Sequence, residues 1–524
     1  MSEFDSIGEL NPSAWSDSSV LQRLHLLEQL RYQLQVQAER LAQADAQMKN
    51  CLLGDTLYGV LESQLATAIP MAQTITATIH LYETLAHGHL PAATETQEVS
   101  ADEFRVGVFP HSGQDKLLAS SQRGYVITEG RPTQFNPLQQ SVGLVAVLGS
   151  DCESSPMEVI KALFWRNQTV VYLPHPINQS SSTVWSTIFA PLIAAQVLVM
   201  ATTNDSSYSK QCSEISIDPR FDAIYCTGYS TAAPVTAAGA SVPILSDCGS
   251  NNPALIVPGI TPWSEAQIRH YAQQFVRQTL YNGGADCGRI QTLITSRQWP
   301  QRGEFLAALT QAFEQEPVLG SYYPSSDATW QCFADAYPVA QVFHEALPQS
   351  RRSMLISAMA SDSYGTQRQV FAPILAEVTL DVAADAGEFL PAAVQYCNQK
   401  LYGSLAATIV IDEATQAQHL SQLDQCILGL HYGAVGINSL PLTMRWNPYL
   451  NWGQYASTSN LLADSQPYVG NALGFARVSK SILWDRFDSA NDWFSGETST
   501  SNALMHYALA PTWMNVWRAL RHSS

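Results

Sequence analysis

The sequence predicts an α/β protein built from two doubly wound domains, and three observations point there. First, the segments 142–148, 169–173, 197–200 and 223–226 are short, nearly continuous apolar runs. Helical stretches at 157–165 and 183–194 separate them. Strands that are apolar on both faces belong to a parallel sheet covered by helices on each side, which is the architecture of a dinucleotide-type domain. Second, a further series of the same kind begins near Pro243, with strand-like 254–257, a helical 263–280, a strand around Leu293, a helical 302–314 and apolar 406–411. Third, 524 residues are too many for one ordinary hydrophobic core.

The remaining elements follow in order. Residues 1–19 read as a flexible leader. From 20 to 48, Leu21, Leu24, Leu27, Leu30, Leu34 and Leu41 recur at helical spacing. Helical stretches at 57–69 and 71–86 follow, then a turn-rich region with short strand-like pieces at 103–109 and 125–128. The expected organisation is a leader at 1–19, a first domain at 20–242 with a flap near 124–137, a second domain at 243–440, and an arm and tail at 441–524.

Composition narrows the function. The formal charge of −18 repels nucleic acid and anionic membranes, and no Lys/Arg cluster offsets it. No uninterrupted apolar stretch is long enough for a membrane span. The nine cysteines are scattered without a C-x-x-C pair, so neither a disulfide framework nor a zinc site is expected, and no metal. That usage fits a reducing compartment. The opening residues show no basic and apolar signal pattern, so a cytoplasmic location is expected.

One cysteine stands apart. Cys287 follows the glycine pair of Asn282-Gly283-Gly284-Ala285-Asp286, between a helical run and a strand-like one. A thiol on a tight turn between rigid elements is well held and approachable by a carbonyl carbon, as covalent catalysis requires. A cysteine taken alone is more often a small buried hydrophobe.

Taken with the rest of the chain, this turn resembles the aldehyde dehydrogenase superfamily, over roughly residues 20–487. Asn282 to Cys287 is similar to the family's N-x-G-Q-x-C. The stretch 218–230 resembles H-P-x-V-D-x-I-x-F-T-G-S, with Thr227 and Gly228 retained and Tyr229 where the serine belongs. Residues 247–254 stand where E-L-G-G-K-x-P-A belongs, Phe371-Ala372-Pro373 where F-G-P belongs, 401–407 at the Y-G-L-A-A stretch, and Asn438 at the late N-x motif.

The resemblance implies a Cys287 nucleophile that forms a thiohemiacetal with an aldehyde, an asparagine and a backbone N–H for the oxyanion, and a carboxylate that activates water. Asp247 stands at the carboxylate position, one methylene shorter than glutamate, and is equally a turn residue capping the following loop. The cofactor positions it implies are Thr227, Gly228, Gly249, Gln369 and Phe371.

Several helpers are changed. Asp286 brings a carboxylate beside Cys287, which disfavours a thiolate. The oxyanion segment 149–156 has no asparagine. Leu173-Pro174-His175-Pro176 replaces the ribose-binding K-P-S-E, and Gln369 replaces a glutamate. The cofactor expected is therefore NAD or NADP if the protein is active, or none. The expected function is an aldehyde dehydrogenase-like oxidoreductase; the alternative is a non-catalytic member of the fold serving as a structural or assembly subunit. A cofactor-free cysteine esterase is a third idea. The resemblance also implies a homodimer or homotetramer, through the flap and the C-terminal arm.

Overall fold

The computed structural model describes every residue except 1–4, 151–154, 227–234, 236–238, 240–241, 247–248, 456–464, 468–469, 489–502, 504–505 and 524. Its centre is two sheets. The smaller has six strands, all parallel, in spatial order Ser465–Pro467, Ile244–Ser246, Ala223–Cys226, Gly143–Leu148, Gln168–Leu173 and Leu198–Met200. Its apolar runs serve two cores at once, because successive side chains point to opposite faces. Val145 and Val147 enter one cluster, with Phe164 and Trp185. Ala146 and Leu148 enter another, with Leu173, Tyr208 and Ile224.

The larger sheet has eleven strands. Its middle is parallel: Val478–Trp484, Ala434–Ile437, Ala406–Val410, Pro253–Ile256, Thr292–Ser296, Ile374–Leu380 and Ser353–Ile356. Antiparallel strands close both ends. The same division holds here. Leu255 packs on one face, and Ala254 and Ile256 on the other.

The structure differs from the expected organisation in three places. Arg123–Glu129, the start of the expected flap, lies in the larger sheet, antiparallel to Glu103–Phe109 and to Val478–Trp484. The first sheet does not contain it. The arm after residue 441 divides: Ser465–Pro467 edges the small sheet and Val478–Trp484 sits inside the large one.

The third difference is the leader, which is anchored at two points: Trp15 is only 2% exposed and Ile7 is buried, while most residues between them face solvent. The cause lies in the first turn of the long helix Val20–Leu53. Arg23 is fully buried there, donates to the Trp15 carbonyl and to Asn167 Oδ1 at 2.7 Å each, and stacks over the Trp15 ring at 3.9 Å. A buried guanidinium must be paired, and the leader supplies two of the partners, the Trp15 carbonyl and the Ser18 hydroxyl. Leu21, counted in the apolar stripe, points to solvent; Leu27, Leu30, Leu34 and Leu41 face the core.

Candidate active site

The helix Glu265–Leu280 is amphipathic and packs on Arg302–Gln315 beneath the large sheet. Its chain leaves through a turn in which Asn282, Gly283 and Gly284 all have positive φ, at 51°, 65° and 81°. The glycines are required by contact as well as by dihedral. A Cβ on Gly283 would come within 2.8 Å of the Tyr58 hydroxyl, and one on Gly284 within 2.5 Å of the Ala372 carbonyl carbon. The turn is also hydrogen-bonded from outside. Ser321 Oγ donates to the Gly283 carbonyl at 2.6 Å, and Asn282 Nδ2 donates to the Tyr322 hydroxyl at 2.9 Å.

Cys287 follows this locked turn and is half-buried. Asn252 Nδ2 donates to the Cys287 carbonyl at 2.7 Å and to that of Arg289 at 2.8 Å, fixing the backbone on the far side. The cysteine belongs to a loop of the large sheet and packs against a core cluster that draws on both sheets, with Val145 and Val147 from the small one and Ala406, Ala434 and Leu483 from the large one.

The acidic neighbour is not loose. Asp286 accepts from the Gly288 N–H at 2.7 Å through Oδ1, and its Oδ2 is ion-paired with Arg445. The two side chains are 7% and 9% exposed. A second buried pair lies close by, Asp45 with Lys49 at 2.6 Å on the long helix. Between the pairs is a cavity of about 20 Å³, lined among others by Asp45, Lys49, Met157, Tyr281, Asn282, Tyr322 and Arg445. That is room for about one water molecule. Burial and the Asp286 charge together hold the Tyr281 phenol well above its ordinary range.

The sequence-predicted residues are only partly brought together. Phe371-Ala372-Pro373 lies against Gly284, and Phe371 meets Tyr323 edge-on at 4.9 Å. Gly249 has φ 67° and lies against Gly403, across a bridge from Ser250. Gln369 is half-buried in the segment leading into Phe371. Asn438 pairs with both backbone groups of Ile411 at 2.9 Å, a purely structural role. Asp247, Thr227 and Gly228 lie outside the described residues, as does Tyr229. Sequence reasoning missed Arg445, Asn252, Tyr322 and the Asp45–Lys49 pair. Only the last had a signal, two opposite charges four residues apart in an apolar stripe.

A dinucleotide would be held at the carboxyl ends of the small sheet's strands. Leu173 ends its strand fully buried in an apolar cluster. Tyr208 donates its hydroxyl proton to the Gly149 carbonyl at the end of the neighbouring strand, and the His175 ring packs edge-on against Tyr208 at 4.8 Å. Of the described residues at these strand ends, the apolar Leu173 gives the adenosine ribose no hydrogen-bond partner. Residues 151–154 and 227–234, which follow two of the strands, lie outside the described residues.

No family model matches the sequence, and no curated protein matches it. Solved structures do. A putative aldehyde dehydrogenase from Burkholderia cenocepacia is similar with a TM-score of 0.60 and 16% identity, over 92% of this chain and 91% of that one. The chain has the aldehyde dehydrogenase fold. The NADP-dependent glyceraldehyde-3-phosphate dehydrogenase of Bacillus halodurans C-125, solved with NADP, is similar at 0.59 and 15%, over 92% and 91%. Betaine aldehyde dehydrogenase from Staphylococcus aureus is similar at 0.59 and 14%, over 94% and 89%. The aldehyde dehydrogenase fold thus extends over nearly the whole length. Among the described residues no helix is long and apolar enough to cross a membrane, and no group of His, Cys, Asp or Glu could hold a metal.

Proposed function

We propose that the protein is an aldehyde-oxidising enzyme in which Cys287 is the nucleophile. The observation that carries this reading is the cysteine turn itself. Three successive positive-φ residues, two of them glycines wedged against Gly320 and Ala372, lead into one half-buried thiol. A strained turn that its surroundings over-determine is a mark of a working site.

In the proposed step, Cys287 Sγ, as thiolate, adds to the aldehyde carbon. The C–S bond forms, the carbonyl π pair moves to oxygen, and a proton from solvent completes the thiohemiacetal. Asn252 and the turn hold the backbone of the nucleophile still. Asp247 is the carboxylate we assign to water activation. Oxidation of the thiohemiacetal requires a hydride acceptor, and NAD or NADP is the one the fold neighbours support.

The test is incubation with an aldehyde panel and NAD or NADP, followed at the absorbance of the reduced nicotinamide, for the natural chain and Cys287→Ser. Turnover that Cys287→Ser abolishes supports the reading, and turnover unaffected by it overturns the reading.

A second reading, a non-catalytic subunit of the same fold, is favoured by the apolar Leu173 and the packed His175 and Tyr208 rings at the ends of the small sheet's strands. Micromolar binding of either dinucleotide in calorimetry counts against it. Assembly as a homodimer or homotetramer belongs to both readings and is checked by sedimentation.

A further inference from the structure

The residue just before the nucleophile is a carboxylate, and a negative charge there works against a thiolate. The structure supplies a counterweight from a distant part of the chain. Arg445 ends the short helix Pro441–Arg445, 159 positions along, and its guanidinium is ion-paired with Asp286 Oδ2. The other carboxylate oxygen accepts from the Gly288 N–H at 2.7 Å. Both oxygens are thus turned to partners other than the thiol.

We propose that Arg445 is a positioning residue for Cys287: it holds the Asp286 carboxylate and cancels its charge, so that the adjacent thiol can ionise at neutral pH. The proposal deepens the aldehyde reading and rests on it for its catalytic consequence.

The other charged groups facing this corner are already committed. Across the one-water cavity, Asp45 and Lys49 pair with each other, and the Lys49 ammonium lies 5.3 Å from the Tyr58 and Tyr322 rings. On the loop itself, the Arg289 guanidinium is fully enclosed and donates to the carbonyls of Val370 and Ile374 at 2.8–3.0 Å. Burial lowers it to about 9, with Asp286 acting against the shift. Tyr281 is held in its neutral form. On the helix Ser155–Ile160, Glu158 pairs with Lys161 at 2.9 Å. Asp151, Glu153 and Asp247 fall outside the described residues. Arg445 is therefore the cation that this geometry assigns to Asp286.

The test is alkylation of the full-length protein by iodoacetamide across pH, read at Cys287 by peptide mass spectrometry because the chain has nine cysteines. Arg445→Met is expected to slow labelling at neutral pH about tenfold and to move its midpoint up by about one pH unit, since thiolate is the reacting form. Asp286→Asn is expected to label at least as fast as the natural chain. The double variant, which removes both charges, is expected to return to within about threefold of it, and Arg445→Lys to lie between. An unshifted profile in Arg445→Met overturns the proposal. So does a double variant as slow as Arg445→Met, because that pattern reports lost structure. If Arg445→Met does not fold, the double variant decides alone: its profile must match the natural chain. If the profiles shift as expected while the natural chain turns over no aldehyde, the aldehyde reading fails and the role of Arg445 stands.

Discussion

The cysteine turn and the crevice at the end of the small sheet differ in what maintains them. In the turn, backbone geometry is fixed by steric contact: positive φ at three residues, two glycines with no room for a Cβ, and external bonds from Ser321 and Tyr322. At the end of the small sheet, the strands keep their parallel register, but Leu148 and Leu173 end two of them with apolar side chains and Tyr208 packs beside them. The sheet needs only its core residues to form, so contacts to a ligand can change without cost to the fold. A turn wedged against its neighbours has no such freedom.

The sharpest way to break this comparison is Cys287→Ser. If the turn works as proposed, aldehyde turnover falls on the order of 10³-fold or more while circular dichroism and the melting temperature stay unchanged. Next is Gly284→Ala. The added methyl group meets Ala372 at a φ of 81°, and we expect a loss of about 2–4 kcal/mol in urea unfolding. A loss below about 0.5 kcal/mol would mean that the turn is less constrained than its contacts imply.

Tyr208→Ala probes the other side. Removing this buried ring is expected to cost about 2–4 kcal/mol of stability. It should also make NAD or NADP bind more tightly in calorimetry. Affinity that stays the same or falls removes Tyr208 as the obstacle.

The smallest effect sets the pH window for these measurements. Burial, His80 and Lys116 lower the His111 imidazole from 6.5 to about 4. A base whose folded value lies below its unfolded value costs stability as pH falls, because the unfolded chain takes up the proton first. The loss begins near pH 6.5 and is complete near pH 4. It is expected to reach about 1–2 kcal/mol after allowance for solvent screening. His111→Phe should flatten that part of the acid profile, and an unchanged slope rules His111 out as its source.

Much of the architecture was legible in the sequence, and the reason is physical. Runs such as 142–148 and 223–226 are apolar on both faces because both faces are covered, so the pattern alone implies a doubly covered sheet. The turn at Cys287 was legible because positive φ favours glycine and asparagine, and Asn282-Gly283-Gly284 supplies both. What escaped was long-range pairing. Nothing about Arg445 announces that it meets Asp286, and nothing about Arg23 announces that it ties down Trp15. Tyr208 reads as an ordinary helical residue until its hydroxyl is seen to reach Gly149. The placement of 123–129 in the larger sheet was equally hidden, since it depends on a strand more than 300 residues later.

That strand has a consequence for how the molecule is made. Val478–Trp484 is hydrogen-bonded on one side to Ala434–Ile437 and on the other to Arg123–Glu129. The strands at 96–129 therefore join the large sheet through a segment more than 300 residues further along. Pairings of such sequence separation are slow to form, and they leave strand edges exposed in the interim. The small sheet's strands at 143–226 are close in sequence and need no such wait, while the Arg123–Glu129 edge stays open on one side until Val478–Trp484 docks. An open strand edge is a template for pairing with another chain, so that interval is when this fold is exposed to misassembly.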